Sequence, residues 1–185
     1  MINLDKKKPF NLNKEVPGLN HVKVGLSWDP TSAGLSPDAD ASVFMLDATG
    51  KIPSEGYFVF YNNLTSADGA VVHSGDNRTG EGDGDDEEVT INLSKVSPSI
   101  VEIVFVISIH NKDEGFHFGN VLNSSVRVYN LANGSSLLQY KIDEALNNCD
   151  SLSICRFFRN GNEWEFEGGG EASNGGLGAA VEKYT

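Results

Sequence analysis

An acidic, glycine-rich run occupies residues 75–88 of the 185-residue sequence and reads GDNRTGEGDGDDEE. Half of its side chains are carboxylates, and Arg78 is its only basic residue. Glycine stands at every second position from Gly80 to Gly84, and glycine restricts the backbone least. Because neighbouring carboxylates repel one another, the run either stays disordered, as acidic runs commonly do, or folds around a cation. The strand pattern that follows at 89–93 would anchor such a loop.

The oxygen-rich side chains of this run suit a hard cation such as Ca²⁺, which takes about six to eight oxygen ligands in flexible geometry. A second pair of carboxylates, Asp38 and Asp40, stands at the start of another strand pattern. Residues two apart on a strand point to the same side, so both can face one ion. The sequence therefore predicts a cation site formed by two groups of carboxylates, the acidic run and the pair of Asp38 and Asp40. Taken alone, the pair of Asp38 and Asp40 also fits an ordinary turn.

Other chemistries fit the residues less well. The segment from Gly80 to Gly84 lacks the Gly-Lys-Ser/Thr ending of a phosphate-binding loop, and its carboxylates would repel phosphate. An EF-hand beginning at Asp76 would place Arg78 at its third position, where a ligand is required. The histidines are sparse, no Gly-x-Ser-x-Gly motif is present, and the two cysteines form no metal-binding pattern. A glycosidase carboxylate pair is compatible with the sequence, but so many acids in one loop favour ion binding.

The composition limits the classes of partner. The net charge of −12 argues against nucleic acid or an anionic membrane as a direct partner. No apolar run approaches the length of a membrane-spanning helix, and no signal-peptide pattern follows the lysines at 6–8. We therefore expect a cytoplasmic protein without an integral membrane segment, formed by a single domain over residues 1–185.

Short β-type patterns separated by turn signals run through most of the chain. They lie at 22–28, 41–46, 56–61, 89–93 and 100–109. Asn-Gly pairs at 133–134 and 160–161 indicate hairpins. A glycine-rich segment and a short terminal helix are expected within 167–185. These patterns predict an all-β fold, namely an antiparallel β-sandwich with long ion-binding loops and at most short helices.

Seven segments of the sequence form a recognisable set. They are VGLSWD at 24–29, DADASVFMLD at 38–47, FYNN at 60–63, GDNRTGEGDGDDE at 75–87, IVFV at 103–106, IH at 109–110 and FGNV at 118–121. The set resembles the TerD family of tellurium-resistance and stress proteins, from about Leu12 to the end of the sequence. The acidic motif is long and unusual, which makes it the most specific part of the match.

The resemblance implies a bacterial, cytoplasmic β-sandwich that binds one or two Ca²⁺ ions, takes part in tellurite resistance and stress responses, and is not an enzyme. It also implies partners among other proteins of the same stress system. The ligands that it implies are Asp38, Asp40, Asp76, Asn77, Asp83, Asp85, Asp86 and Glu87. Many family members have leucine where this chain has Ala39 and Arg78. Neither departure removes a ligand, but the charge of Arg78 would weaken cation affinity.

Two other functions would use the same residues in different ways. A C2-like module would use Ca²⁺ to bind a membrane or a protein, although no apolar or basic loop tip is evident near the acidic run. A metal-dependent enzyme would use the ion as a Lewis acid and would need an open coordination position beside a pocket. Pelleting with liposomes in the presence of Ca²⁺ separates the C2-like module from a protein that only binds the ion.

Overall fold

Two antiparallel β-sheets form the fold in a computed structural model, which describes residues 10–11, 16, 18–29, 37–78, 84–142, 148–169 and 171–185. Within these residues, sheet A contains β1 (Phe10–Asn11), β3 (Ala39–Leu46), β4 (Phe58–Val59), β7 (Glu102–Ile109), β10 (Ser151–Asn160), β11 (Glu163–Gly168) and β12 (Ala172–Ser173). Sheet B contains β2 (His21–Asp29), β5 (Val71–His73), β6 (Glu87–Asn92), β8 (Leu122–Asn130) and β9 (Ser136–Lys141). The predicted all-β antiparallel sandwich is confirmed.

The strand order of sheet A places its two most buried strands, β3 and β7, beside each other. Sheet A has the order β1-β11-β10-β7-β3-β4, with β12 beside β10, and sheet B has the order β5-β6-β2-β8-β9. All eight residues of β3 are buried, and so are all residues of β7 except Glu102. Nearly continuous apolar runs therefore became strands covered on both faces, as expected for such patterns.

The main core lies between the sheets because the strands of sheet B alternate apolar and polar side chains. In β2, the side chains of Val22, Val24, Leu26 and Trp28 face the core, while Lys23 lies on the outer face. Burying one side chain of this size stabilises the fold by about 1.5–3 kcal/mol. The core is thus strong enough to hold polar groups in fixed positions at the ends of the sandwich.

A short helix covers the outer face of sheet A. The helix α1 (Gly176–Tyr184) confirms the terminal helix that the sequence predicts. It packs on β3 and β7 to form a second apolar cluster, whose buried members are Phe44, Leu46, Val104, Val106, Ala180 and Tyr184. No helix in the described ranges has the length and apolarity that a membrane crossing needs.

Both Asn-Gly hairpins are confirmed. One joins β8 to β9 and the other joins β10 to β11. Gly134 and Gly161 have φ angles of 70° and 64°, a left-handed conformation that favours glycine. The glycine-rich segment after β11 is more ordered than its composition indicates, because β12 pairs with β10 there.

The aromatic run at 56–61 forms a much shorter strand than the sequence predicts. Only β4 is extended, and it pairs with Val43 and Phe44 of β3. The chain then turns back, because Phe60 and Asn63 exchange two backbone hydrogen bonds of 3.0 and 2.9 Å. In the described ranges, the first half of β3 therefore has no paired strand on that side.

Candidate metal centre

Three carboxylates meet at one end of the sandwich. Asp38 precedes β3 of sheet A, Asp40 is the second residue of β3, and Asp76 follows β5 of sheet B. One carboxylate oxygen of each residue lies within 4.8 Å of the other two. The side chains of Asp38 and Asp40 are buried, whereas Asp76 is exposed. The structure thus brings Asp38 and Asp40 together with a carboxylate of the acidic run, Asp76, as the sequence predicts.

Asp38 carries an unpaired oxygen in this group. Its Oδ1 is buried and has no hydrogen-bond partner in the described part of the chain, while Oδ2 lies 3.7 Å from the Nε of Arg78. Burial raises the pKa of Asp38, and the charge of Asp76 raises it further. A buried polar atom without a partner costs free energy, and a bound cation would offset that cost.

Asp40 is the most strongly perturbed carboxyl of the group. Burial, followed by the charges of Glu87 and Asp38, raises the pKa of Asp40 to about 7. The imidazole of His110 acts in the opposite direction, since its Nδ1 lies 3.1 Å from the Oδ2 of Asp40. Carboxylates held this close to one another favour either a proton or a bound cation.

His110 and Tyr61 border the three carboxylates and were not predicted from the sequence as site residues. The rings of Tyr61 and His110 are in edge contact, with centroids 5.5 Å apart. Burial, and then the charge of Asp40, raises the pKa of Tyr61. His110 directly follows β7, and it reaches Asp40 because β7 is antiparallel to β3 and Ile109 pairs with Ala39. The sequence indicates both strands, but it does not indicate that they are neighbours.

Glu87 is buried, and both oxygens of its carboxylate accept hydrogen bonds from backbone N–H groups. Its Oε2 accepts a hydrogen bond from the Ala41 N–H at 2.7 Å, and its Oε1 accepts one from the Asn77 N–H at 3.3 Å. The Nδ1 of His73 accepts from the Gly75 N–H, so its proton lies on Nε2, 3.1 Å from the Ala41 carbonyl and 3.4 Å from Glu87 Oε2. Burial lowers the pKa of His73, but the hydrogen bond and charge of Glu87 outweigh burial and raise it.

Asp86 and Asn77 tie the acidic run to β2. The Oδ2 of Asp86 accepts from the Trp28 N–H at 2.9 Å, and its Oδ1 accepts from the side-chain amide of Asn77 at 3.2 Å. Burial raises the pKa of Asp86. Asp86 lies outside the group formed by the three aspartates.

Asp85 points to the outer face of sheet B, away from the core. Its Oδ1 accepts from the Nε and Nη2 of Arg127 at 2.9 and 2.6 Å, and its Oδ2 lies 3.5 Å from the Nζ of Lys23. The side chain of Asp85 is only 4% exposed and lies over Gly25, where any Cβ would overlap the carboxylate. The structure therefore places Asp85 in a salt bridge instead of the group of three. Asp83, the remaining predicted ligand, lies outside the described residues.

The chemistry of the group follows from its donor atoms. Carboxylate oxygens are the ligands that Ca²⁺ and Mg²⁺ prefer, whereas softer metals favour thiolates and imidazoles. Asp38, Asp40 and Asp76 are therefore the residues that could hold a hard cation. The metal-binding role of all eight predicted residues stays a prediction.

The fold and this group of aspartates define a class, a two-sheet antiparallel sandwich with carboxylates from both sheets gathered at one end. A family model described as TerD domain matches residues 1–184. Over 185 residues the chain is 38% identical to the tellurium resistance protein TerD of Serratia marcescens, covering 99% of this chain and 96% of that protein. Over 186 residues it is 41% identical to the general stress protein 16U of Bacillus subtilis (strain 168), with the same two coverages.

A solved structure agrees with these sequence relatives. The crystal structure of a homologue of telluride resistance protein (TerD) from Streptomyces coelicolor A3(2) is similar with a TM-score of 0.76 at 28% identity, covering 89% of this chain and 96% of that chain. The chain belongs to the TerD domain family. The resemblance seen in the sequence motifs is confirmed.

Proposed function

We propose that this protein is a Ca²⁺-binding, non-catalytic stress-response protein associated with tellurite resistance. The observation that carries the Ca²⁺ proposal is the group of Asp38, Asp40 and Asp76, in which a buried oxygen of Asp38 lacks a hydrogen-bond partner among the described residues. The stress and tellurite part is supported by the names of the relatives. We further propose that the protein acts in the cytoplasm with other proteins of the same stress system.

The residues present fit a hard divalent cation. The three aspartates offer only oxygen, and two of them are buried where water cannot fully solvate their charge. Burial first, and then the charges of neighbouring carboxylates, raise the pKa of Asp38 and of Asp40, and the positive charge of a bound ion would offset both effects. These carboxylates would bind and orient the ion, while Asn77 and other oxygens of the acidic run could complete its shell.

Thermal unfolding in EDTA and in Ca²⁺ tests the proposal directly. A ligand that binds only the folded state at about 100 times its Kd adds about 2.7 kcal/mol to the free energy of unfolding. We therefore expect Ca²⁺ to raise the Tm, with a saturable heat signal in a calorimetric titration. A Tm unchanged by Ca²⁺ together with a flat titration would falsify the Ca²⁺ proposal.

Matched variants separate the site from the general acidity of the chain. Asp38→Asn removes one buried charge from the group and is expected to weaken Ca²⁺ binding by about tenfold or more, that is by at least about 1.4 kcal/mol. Glu182→Gln removes an exposed acid on α1 and is expected to leave the affinity unchanged. Equal effects of the two changes would mean that net charge, not this group, attracts the ion.

The cellular part of the proposal has its own experiment. Production of the protein in a tellurite-sensitive bacterium is expected to raise survival on tellurite, whereas the Asp38→Asn variant at the same level is expected to protect less. Survival unaffected by the wild-type protein argues against the association with tellurite. Equal protection by both proteins argues that protection does not need the ion.

A further inference from the structure

We propose that Glu87 is a positioning residue of the cation site and not one of its ligands. This inference rests on the Ca²⁺-binding function proposed above. The buried carboxylate of Glu87 holds together the two chain segments that carry the aspartates. One segment begins β3 in sheet A, and the other follows β5 in sheet B.

The two hydrogen bonds of Glu87 reach the residues that directly follow two of the aspartates. Oε2 accepts from the N–H of Ala41, which follows Asp40, and Oε1 accepts from the N–H of Asn77, which follows Asp76. One rigid carboxylate therefore fixes the separation of these two backbone positions. Because each aspartate immediately precedes one of these N–H groups, the two contacts also restrain how far apart the backbones of the two aspartates lie.

The shortness of β4 explains why Ala41 is available for this contact. β4 pairs Val59 with Val43, and the next position along the same edge of β3 is Ala41. Among the residues that the structure describes, no strand continues there, because the chain turns back at Phe60. The Glu87 carboxylate accepts a hydrogen bond from the N–H of Ala41, and the His73 imidazole lies 3.1 Å from the carbonyl oxygen of Ala41. Two side chains of sheet B therefore take the hydrogen-bonding positions that a longer β4 would occupy.

The surroundings of Glu87 argue against a role as ligand. The side chain of Glu87 is 0% exposed, and each of its oxygens already accepts from a backbone N–H group. It also lies outside the group of three aspartates whose oxygens converge. Residues that orient metal ligands from behind typically change metal affinity by about 10- to 100-fold when they are replaced. A site whose ligands are held in place before binding also loses less entropy on binding.

The substitution Glu87→Gln tests this role with little change in size. A carboxamide keeps one accepting oxygen but turns an NH₂ group toward one of the two N–H donors, so one of the two hydrogen bonds is lost. We expect the Kd for Ca²⁺, measured by calorimetry, to rise by about tenfold or more. We also expect the number of water molecules on bound Eu³⁺, from luminescence lifetimes in H₂O and D₂O, to equal that of the wild type.

Two control variants show what the loss of a ligand and a general loss of stability each do to these two measurements. Asp76→Ala removes an exposed carboxylate of the group and is expected to add water to bound Eu³⁺. Ile91→Val trims a core side chain further along β6 and lowers stability by about 0.5–1.5 kcal/mol. It is expected to leave the Kd for Ca²⁺ within about twofold, because Ile91 lies toward the far end of β6 from Glu87.

The possible outcomes separate this inference from the proposed function. Added water on Eu³⁺ in Glu87→Gln, as in Asp76→Ala, would show that Glu87 is a ligand and overturn the inference. A wild-type Kd in Glu87→Gln, or an equal loss of affinity in Ile91→Val, would also overturn it. If the wild-type protein binds no Ca²⁺, the proposed function fails instead. Hydrogen exchange in EDTA then still shows whether Glu87→Gln frees the Ala41 and Asn77 amides.

Discussion

Three consecutive acidic residues of the chain have three different environments. Asp85 forms an ion pair with Arg127 on the outer face of sheet B. Asp86 accepts a hydrogen bond from the N–H of Trp28 near the end of β2. Glu87 is buried between the sheets and accepts the N–H of Ala41. Asp85 and Glu87 are two residues apart yet lie on opposite faces of sheet B, because β6 begins only at Glu87 and the regular alternation of a strand does not extend back to Asp85. One dense run of charge is thus divided among separate contacts.

The raised pKa of Asp40 predicts how stability depends on pH in the absence of metal. Burial, with the charges of Glu87 and Asp38, raises its pKa to about 7, above the ordinary carboxyl value of about 4. Between these two pH values the folded state holds a proton that the unfolded state has released. The contribution of Asp40 to the free energy of unfolding is therefore fully present at acidic pH and falls as pH rises through 7.

The substitution Asp40→Asn removes this titration and serves as the comparison. In EDTA, the Tm of the wild type relative to that of Asp40→Asn is expected to fall between pH 5 and pH 8. Thermal unfolding of both proteins across this range measures the difference. A constant difference between the two Tm values would contradict the raised pKa of Asp40.

At the scale of elements, local patterns predicted the strands, while the site depends on how distant strands pair. The run from Ala41 to Leu46 and the run from Ile100 to Ile109 predicted buried strands, and the structure contains β3 and β7 there. The sequence also indicated that Asp38, Asp40 and the acidic run could share an ion. It did not indicate that β3 and β7 are neighbours, which brings His110 to Asp40, or that β4 ends early and exposes Ala41 to Glu87.

The same limit applies to Asp85. In the sequence, nothing distinguishes Asp85 from the other acidic residues of the run. Its separation from them depends on Arg127 and Lys23, which are far from it in sequence and reach it only because β6 and β8 both pair with β2. Contacts between residues so far apart depend on sheet order, which a local pattern does not contain.

The contact between β2 and the acidic run predicts a strong effect of a small substitution. Gly25→Ala would place a methyl group where the carboxylate of Asp85 lies. Since overpacking of this kind costs about 1–3 kcal/mol, we expect a lower free energy of unfolding, measured with guanidinium chloride. The ion pair with Arg127 would be displaced at the same time.

A second glycine substitution provides the matched control. Gly178 lies in α1, is exposed, and has open space around the position of a Cβ. Gly178→Ala is expected to raise the free energy of unfolding by about 0.5–1 kcal/mol, because alanine is the better helix former. Equal effects of the two substitutions on stability would mean that the contact with Asp85 is not the cause.

At the scale of the whole molecule, the outer faces of the two sheets differ in character. The outer face of sheet A is apolar where α1 covers it with residues such as Ala180 and Tyr184. The outer face of sheet B carries the ion pairs of Asp85 and Glu88 with Lys23 and Arg127. Asp85 thus anchors the acidic run on the charged face of sheet B. At the end of the sandwich, Asp76 and Glu87 of the same run contact residues of sheet A or its border.

The group of aspartates takes its members from different sheets, and this has a consequence for the rate at which the protein unfolds. An ion held by Asp40 of sheet A and by Asp76, which follows β5 of sheet B, would link the sheets at one end. If the sheets separate before the transition state for unfolding, the ion must dissociate first. The unfolding rate would then fall about 100-fold at a free Ca²⁺ concentration of 100 Kd.

Stopped-flow unfolding in guanidinium chloride, with Ca²⁺ varied, measures this rate. A rate that falls in proportion to bound Ca²⁺ is the expected result, and a Ca²⁺ effect confined to the refolding rate would contradict it. The wild type would then stay folded through brief exposure to denaturing conditions as long as the ion is present. Its survival would depend on how slowly the two sheets separate as well as on the equilibrium between folded and unfolded chains.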